Sequence, residues 1–171
     1  NTAKLTTPIV NDNTGCRCFF LLRKPEAMCR VHTGVCSVKG SFCLVEAGAV
    51  GPLIRMLDDE MEINEVHEAS LCALSTLLKD ETWEKGIEVI AKADGLRPIV
   101  RLLCDGSPSV KERVIWILEH SFRIEKYRME FGVEAQMPLI DLTQNGSATS
   151  RSLAARCLAH LDILHNQSTY F

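Results

Sequence analysis

Cys29, His32, Cys36 and Cys43 fall within one short stretch, CRVHTGVCSVKGSFC, spaced three, four and seven residues apart. Thiols and an imidazole at that density could hold zinc, or pair a nucleophilic sulfur with a base. On a helix the spacing puts all four on one stripe. Val31, Val35, Val38, Phe42 and Val45 make a second stripe, which describes a helix buried on more than one side. Geometry tells against a single zinc. At 1.5 Å rise per residue Cys29 and Cys43 would lie ~21 Å apart, and Cys29 and Cys36 ~10 Å, against zinc–sulfur bonds of ~2.3 Å. Gly34 and Gly40 could break the helix and rescue a site, but the chain contains no C-x-x-C pair, and Cys16-x-Cys18 is a poor substitute. For nucleophilic catalysis His32 beside Cys36 supplies base and thiol. No Gly-rich oxyanion turn or local signature accompanies them. The favoured reading is therefore packed, apolar thiols, with no cofactor, no metal and no catalytic residue.

Composition fits that reading. The 171 residues are 46% hydrophobic and 24% charged, with a formal net charge of −3. A chain this long can bury roughly 70% of its unfolded surface without disulfides or metals. No block of like charge suggests nucleic acid or an anionic membrane. Apolar runs such as FFLL at Phe19 to Leu22 are too short to span a bilayer, so no integral membrane contact is expected. There is no charged-then-apolar leader, and the eight cysteines are read as reduced thiols. The chain begins with Asn1, which suggests a piece of a longer protein.

The elements that would position these residues repeat. VGPLIRMLDD from Val50, LRPIVRLLCD from Leu96 and QMPLIDLTQN from Gln136 each place a proline, Pro52, Pro98 or Pro138, two residues in, ahead of an apolar helix. A longer amphipathic helix follows each: ASLCALSTLL from Ala69, RVIWILEHSF from Arg113 and LAARCLAHL from Leu153. A third helix lies between units, Glu81 to Lys92 and Arg123 to Glu134. Ser107-Pro108 reads as an N-cap with proline at the first helical position, and Gly48, Gly95 and Gly106 fall at breaks. A period of 40 to 46 residues with three helices per unit predicts an all-α, armadillo-type α-solenoid of about three repeats. The expected organisation is an unmatched segment 1–22, repeats over 23–167 (units roughly 34–80, 81–122 and 123–165) and a short tail 166–171. The cysteine stretch becomes the first helix of the first unit.

More specific residues carry a family resemblance. CRVHTGVCSVKGSFCLVEAGAV, LCALSTLLKDE, KADGLRPIVRLL and ERVIWILEHSFRIEKY together resemble the C-terminal armadillo region of plant U-box E3 ubiquitin ligases, from roughly Arg23 to the end. In such ligases a U-box of about seventy residues recruits the charged conjugating enzyme, while the armadillo array binds substrates or regulators. This chain contains no segment resembling a U-box. The resemblance therefore implies a protein-binding module, cytoplasmic or also nuclear, with no ubiquitin transfer of its own. A free-standing armadillo scaffold stays open as an alternative, as does a cysteine-based enzyme or zinc protein.

In a solenoid the long third helices line a concave wall. Their register aligns His67/Lys111/Arg151, Glu68/Glu112/Ser152, Cys72/Trp116/Arg156 and Ser75/Glu119/Ala159. The candidate partner-binding residues are His67, Glu68, Lys111, Glu112, Trp116, Glu119, Arg151 and Arg156, with Trp116 the leading anchor. Armadillo adaptors for basic peptides carry Asn four residues after Trp. Here His120 stands there, so an import adaptor is not expected. Phe19, Phe20, Leu21 and Leu22 look like core without a partner and suggest association through an exposed N-terminal repeat face.

Overall fold

The computed structural model describes residues 44–45, 47–59, 63–79 and 83–168, with side chains to position 161. The stretch from Cys29 to Cys43 and the apolar run at Phe19 to Leu22 lie outside the described residues. Among those described there is no strand. Seven α-helices follow in order: α1 (Val50–Asp58), α2 (Asn64–Ser75, continued by a 3₁₀ turn Thr76–Leu78), α3 (Trp83–Lys92), α4 (Leu96–Asp105), α5 (Pro108–Ser121), α6 (Glu125–Asn145) and α7 (Ala148–Ser168). None is long and apolar enough to cross a membrane.

The helices stack in layers. α1 packs on α2, α3 and α4 on α5, and α6 on α7. Across layers α2 meets α5 and α5 meets α7, while α1 meets α4 and α4 meets α6. The chain is thus an armadillo-type solenoid, with α2, α5 and α7 as its ladder of third helices. Leu57, Leu71, Leu74, Ile87, Ile99, Ile115 and Leu118 are fully buried in one continuous core.

Repetition extends to single hydrogen bonds. Before α1, Gly48 N–H donates to Val45 O (3.0 Å) and Ala49 N–H to Leu44 O (2.9 Å). Before α4, Asp94 N–H donates to Ala91 O (3.0 Å) and Gly95 N–H to Ile90 O (2.9 Å). Both are Schellman turns, with Gly48 (φ 65°) and Asp94 (φ 57°) at the left-handed position. The proline two residues into the next helix then costs no bond. The first helical bonds, Leu53 N–H to Ala49 O and Ile99 N–H to Gly95 O, begin one residue after Pro52 and Pro98. Asp94 is the one non-glycine held left-handed among the described residues. Asp94→Gly should stabilise the fold by about 0.5 kcal/mol, less than the full left-handed penalty because the unfolded chain also gains freedom. A rise in urea midpoint with unchanged slope checks this, and a fall contradicts it.

The third unit departs from the expectation of separate helices. Residues 125–134 and the Pro138 helix form one continuous α6, with Pro138 inside it. The positions matching Gly48-Ala49 and Asp94-Gly95 are Glu134-Ala135, two good helix formers that favour no left-handed turn. The helix runs through, and Pro138 leaves the Glu134 carbonyl without its i+4 donor. The ladder helices also begin about five residues earlier than the apolar pattern marked, at Asn64, Pro108 and Ala148, and α7 continues into the expected tail.

Candidate functional site

Two kinds of contact fix the ladder wall. The first joins layers at the helix N-termini. Ser107 Oγ caps α5 by accepting from Val110 N–H (3.4 Å), and Ser147 Oγ caps α7 by accepting from Ser150 N–H (3.1 Å). Glu68 Oε2 on α2 accepts from Ser109 Oγ (2.8 Å). One repeat on, Glu112 Oε2 accepts from Ser147 Oγ (3.1 Å) and Ser150 Oγ (3.4 Å). Each carboxylate therefore faces the positive end of the next ladder helix. Asn64 Oδ1 adds a bond from Ser107 N–H (3.0 Å). Glu68 and Glu112, expected as wall residues, act in the structure as joints between repeats.

The second contact is a network at the other end of α5. Glu119 is buried, its side chain 3% exposed, and Arg123 from the following turn grips it through Nη2 at 2.8 and 3.0 Å and Nε at 3.3 Å. Arg156 Nη2 (3.4 Å) and His160 Nε2 (3.7 Å) reach the same carboxylate from α7. His120 Nδ1 lies 3.4 Å from it and donates to the Trp116 carbonyl at 2.9 Å. The His120 ring lies against Trp116, tilted by 47° with centroids 4.5 Å apart, and meets the edge of Trp83 at 6.0 Å. Arg123 sits 5.5 Å over the Trp83 ring. Both tryptophans of the chain thus stand around one carboxylate that ties α5 and α7 to the turn after α5.

Burial alone would push the Glu119 carboxyl up. The hydrogen bonds and charge of Arg123, with Arg156 and His120, outweigh it and hold the group below its ordinary 4.5. A carboxylate with a depressed folded pKa contributes stability that is present above 4.5 and lost as pH falls through the folded value. Glu119→Gln should cost about 1.5 kcal/mol at pH 7, below the value for a fully buried pair because both arginines can turn to water. The gap from wild type should close as acid protonates the native carboxyl. Urea midpoints for both proteins at neutral and acidic pH check this. A gap that stays constant rules out the ionic origin.

The wall residues differ in what they offer a partner. Arg151 and Arg156 are exposed, and Lys111, Trp116, Glu68 and Glu112 are partly covered. Exposure at His67 and Glu119 departs from expectation: they are only 8% and 2% exposed. His67 turns its Nε2 toward the Asp59 carbonyl (3.4 Å), and Glu119 is enclosed by its cations. Trp83, His120, Arg123 and His160 were missed. The Glu119–Arg123 pair at i, i+4 and the Trp116–His120 pair at the same spacing were the available signals.

Three cysteines among the described residues stand in different states. Cys157 is fully buried, donates to Ile115 O (3.6 Å) across the layer, and has its pKa pushed up to about 12, chiefly by burial and then by Glu119. Cys104 is a free, exposed thiol. Cys72 is disulfide-bonded, which corrects the expectation that all the cysteines are reduced. Among the described residues no three His, Cys, Asp or Glu side chains are grouped to hold a metal.

No family model matches the chain. Several curated proteins do. It is 38% identical to U-box domain-containing proteins 44 and 43 of Arabidopsis thaliana over 160 residues, 90% of this chain in each case. It is 36% identical to U-box domain-containing protein 24 of Oryza sativa subsp. japonica over 170 residues, 92% of this chain. The chain spans about a fifth of the length of these relatives. Among solved structures it is similar to a designed armadillo repeat protein in complex with the peptide (KR)4, with TM-score 0.58 and 27% identity, covering 68% of this chain and 48% of that one. A second designed armadillo repeat protein matches with TM-score 0.60 and 24% identity, over 69% of this chain and 49% of that one. The chain is an armadillo-repeat solenoid homologous to one segment of plant U-box domain-containing proteins.

Proposed function

We propose that this chain is the substrate- or regulator-binding module of a U-box type E3 ubiquitin ligase. The observation that carries the reading is the ladder wall of α2, α5 and α7 in a solenoid whose relatives are U-box proteins. A designed armadillo neighbour that holds a peptide supports a protein or peptide as the occupant. The working residues on the wall are Lys111, Trp116, Arg151 and Arg156, with Glu119 holding Arg156 in place; His67, Glu68 and Glu112 frame them. Catalysis lies elsewhere in the parent protein, and the module works in the cytoplasm or nucleus. The test is a reconstituted ubiquitin-conjugation reaction. The chain alone should build no ubiquitin conjugates. A U-box fused to it should modify a protein that binds the chain, and a U-box without it should not. Equal modification by the U-box without the module overturns the reading.

A further inference from the structure

Charge is unevenly placed on the wall. At its α5–α7 end four permanent cations, Lys111, Arg123, Arg151 and Arg156, stand with two carboxylates, Glu112 and Glu119. Both carboxylates are occupied: Glu112 accepts from Ser147 and Ser150, and Glu119 is enclosed by Arg123 and Arg156. Among the described residues the side chains of Lys111 and Arg151, equivalent in register one turn in from the helix starts, have no hydrogen-bond or ion-pair partner. Arg156 keeps 55% of its side chain exposed and gives Glu119 a single 3.4 Å contact. Trp116, partly covered, lies between the two cationic levels on α5. The chain as a whole is acidic, at −3, so this face is a local inversion of sign.

We infer that the α5–α7 wall takes an acidic peptide segment, its carboxylates meeting Lys111, Arg151 and Arg156 and an apolar or aromatic side chain resting on Trp116. This deepens the proposed function and rests on its reading of the wall as the partner-binding face. Guanidinium groups match carboxylates in paired hydrogen bonds, and complementary charge steers and selects the partner. Arg151 and Arg156 stand five residues apart, about 140° around α7, so they flank its exposed face and an acidic segment lying on α7 would sit between them.

The experiment uses the whole chain and three fluorescein-labelled octapeptides that alternate Tyr with Glu, Gln or Lys. Anisotropy titrations at about 50 mM salt should show the Glu peptide binding at least about tenfold more tightly than the Gln peptide, and the Lys peptide weakest. The preference should shrink at about 300 mM salt. A Lys111→Glu, Arg151→Glu double variant, whose altered side chains hold no structural bond, should lose at least about tenfold in affinity for the Glu peptide at an unchanged thermal midpoint. Lys126→Glu on α6 should leave it intact. Equal binding of the Gln and Glu peptides, both lost in the double variant, overturns the acidic preference but leaves the wall as a partner-binding face. Glu-peptide binding that survives the double variant, or no binding of any peptide, overturns the inference. The conjugation reaction then decides separately whether the module binds substrates.

Discussion

Phe122→Ala should lower the stability of the domain by about 4 kcal/mol and its thermal midpoint by about 10 °C. Phe122 is the bulkiest fully buried side chain among the described residues and closes α5, its N–H donating to Leu118 O at 2.8 Å. Its carbonyl accepts from Arg128 Nη1 at 2.9 Å, so α6 caps the end of α5 through the same residue. Removing the ring takes apolar surface from the core and leaves a void between backbones fixed by those bonds, where collapse is hard. Phe122 adjoins Arg123 in sequence and lies one helical turn from Glu119. Binding at the wall should therefore weaken together with stability, whereas Leu57→Ala in the first layer should spare it. Circular dichroism melts with peptide titrations below the midpoint check both. A change under about 1 kcal/mol would mean that the ring is not packed as described.

Gly86→Ala sets two magnitudes against each other. Helix propensity favours alanine by about 1 kcal/mol. Gly86 is buried in α3, and a methyl there would collide with the carbonyl oxygen of Leu77, lie 2.7 Å from the Leu77 carbonyl carbon and 2.9 Å from Leu78 Cδ2. The Leu77 atoms are backbone and cannot rotate aside, so α3 must lift off the 3₁₀ turn. Overpacking of that kind costs about 3 kcal/mol, and the net expectation is a destabilisation of about 2 kcal/mol. Denaturant midpoints read the sign directly. A stabilised Gly86→Ala protein would show that α3 does not press on that turn.

The repeat was legible because its signals are local. Pro52 and Pro98 stand where a helix start loses nothing, and a left-handed residue precedes each. Pro138 carries the same sequence mark without the turn, since Glu134-Ala135 favours helix, and the pattern of prolines alone could not show the difference. Trp116, Glu119 and Arg156 were readable from ladder register. Their neighbours were harder to see. Trp83 comes from α3, His160 lies one residue past Ala159 at the end of the aligned rows, and Arg123 follows the end of α5. None of them belongs to the face that register describes. Glu68 and Glu112 looked like groove carboxylates because periodicity reports direction and not partner. Serines at the start of the next helix, Ser109 and Ser147, decide what those carboxylates do.

The proposed partner contact lies on the ladder wall and away from the outer side of α6, where Met129, Val133 and Met137 expose an apolar stripe. Site-specific photo-crosslinking separates the two. A photoreactive residue at Arg151 or Lys111 should join the chain to a bound partner, and one at Val133, 84% exposed, should not. Crosslinks from Val133 with none from Arg151 or Lys111 would move the interaction to the outer face and contradict the account.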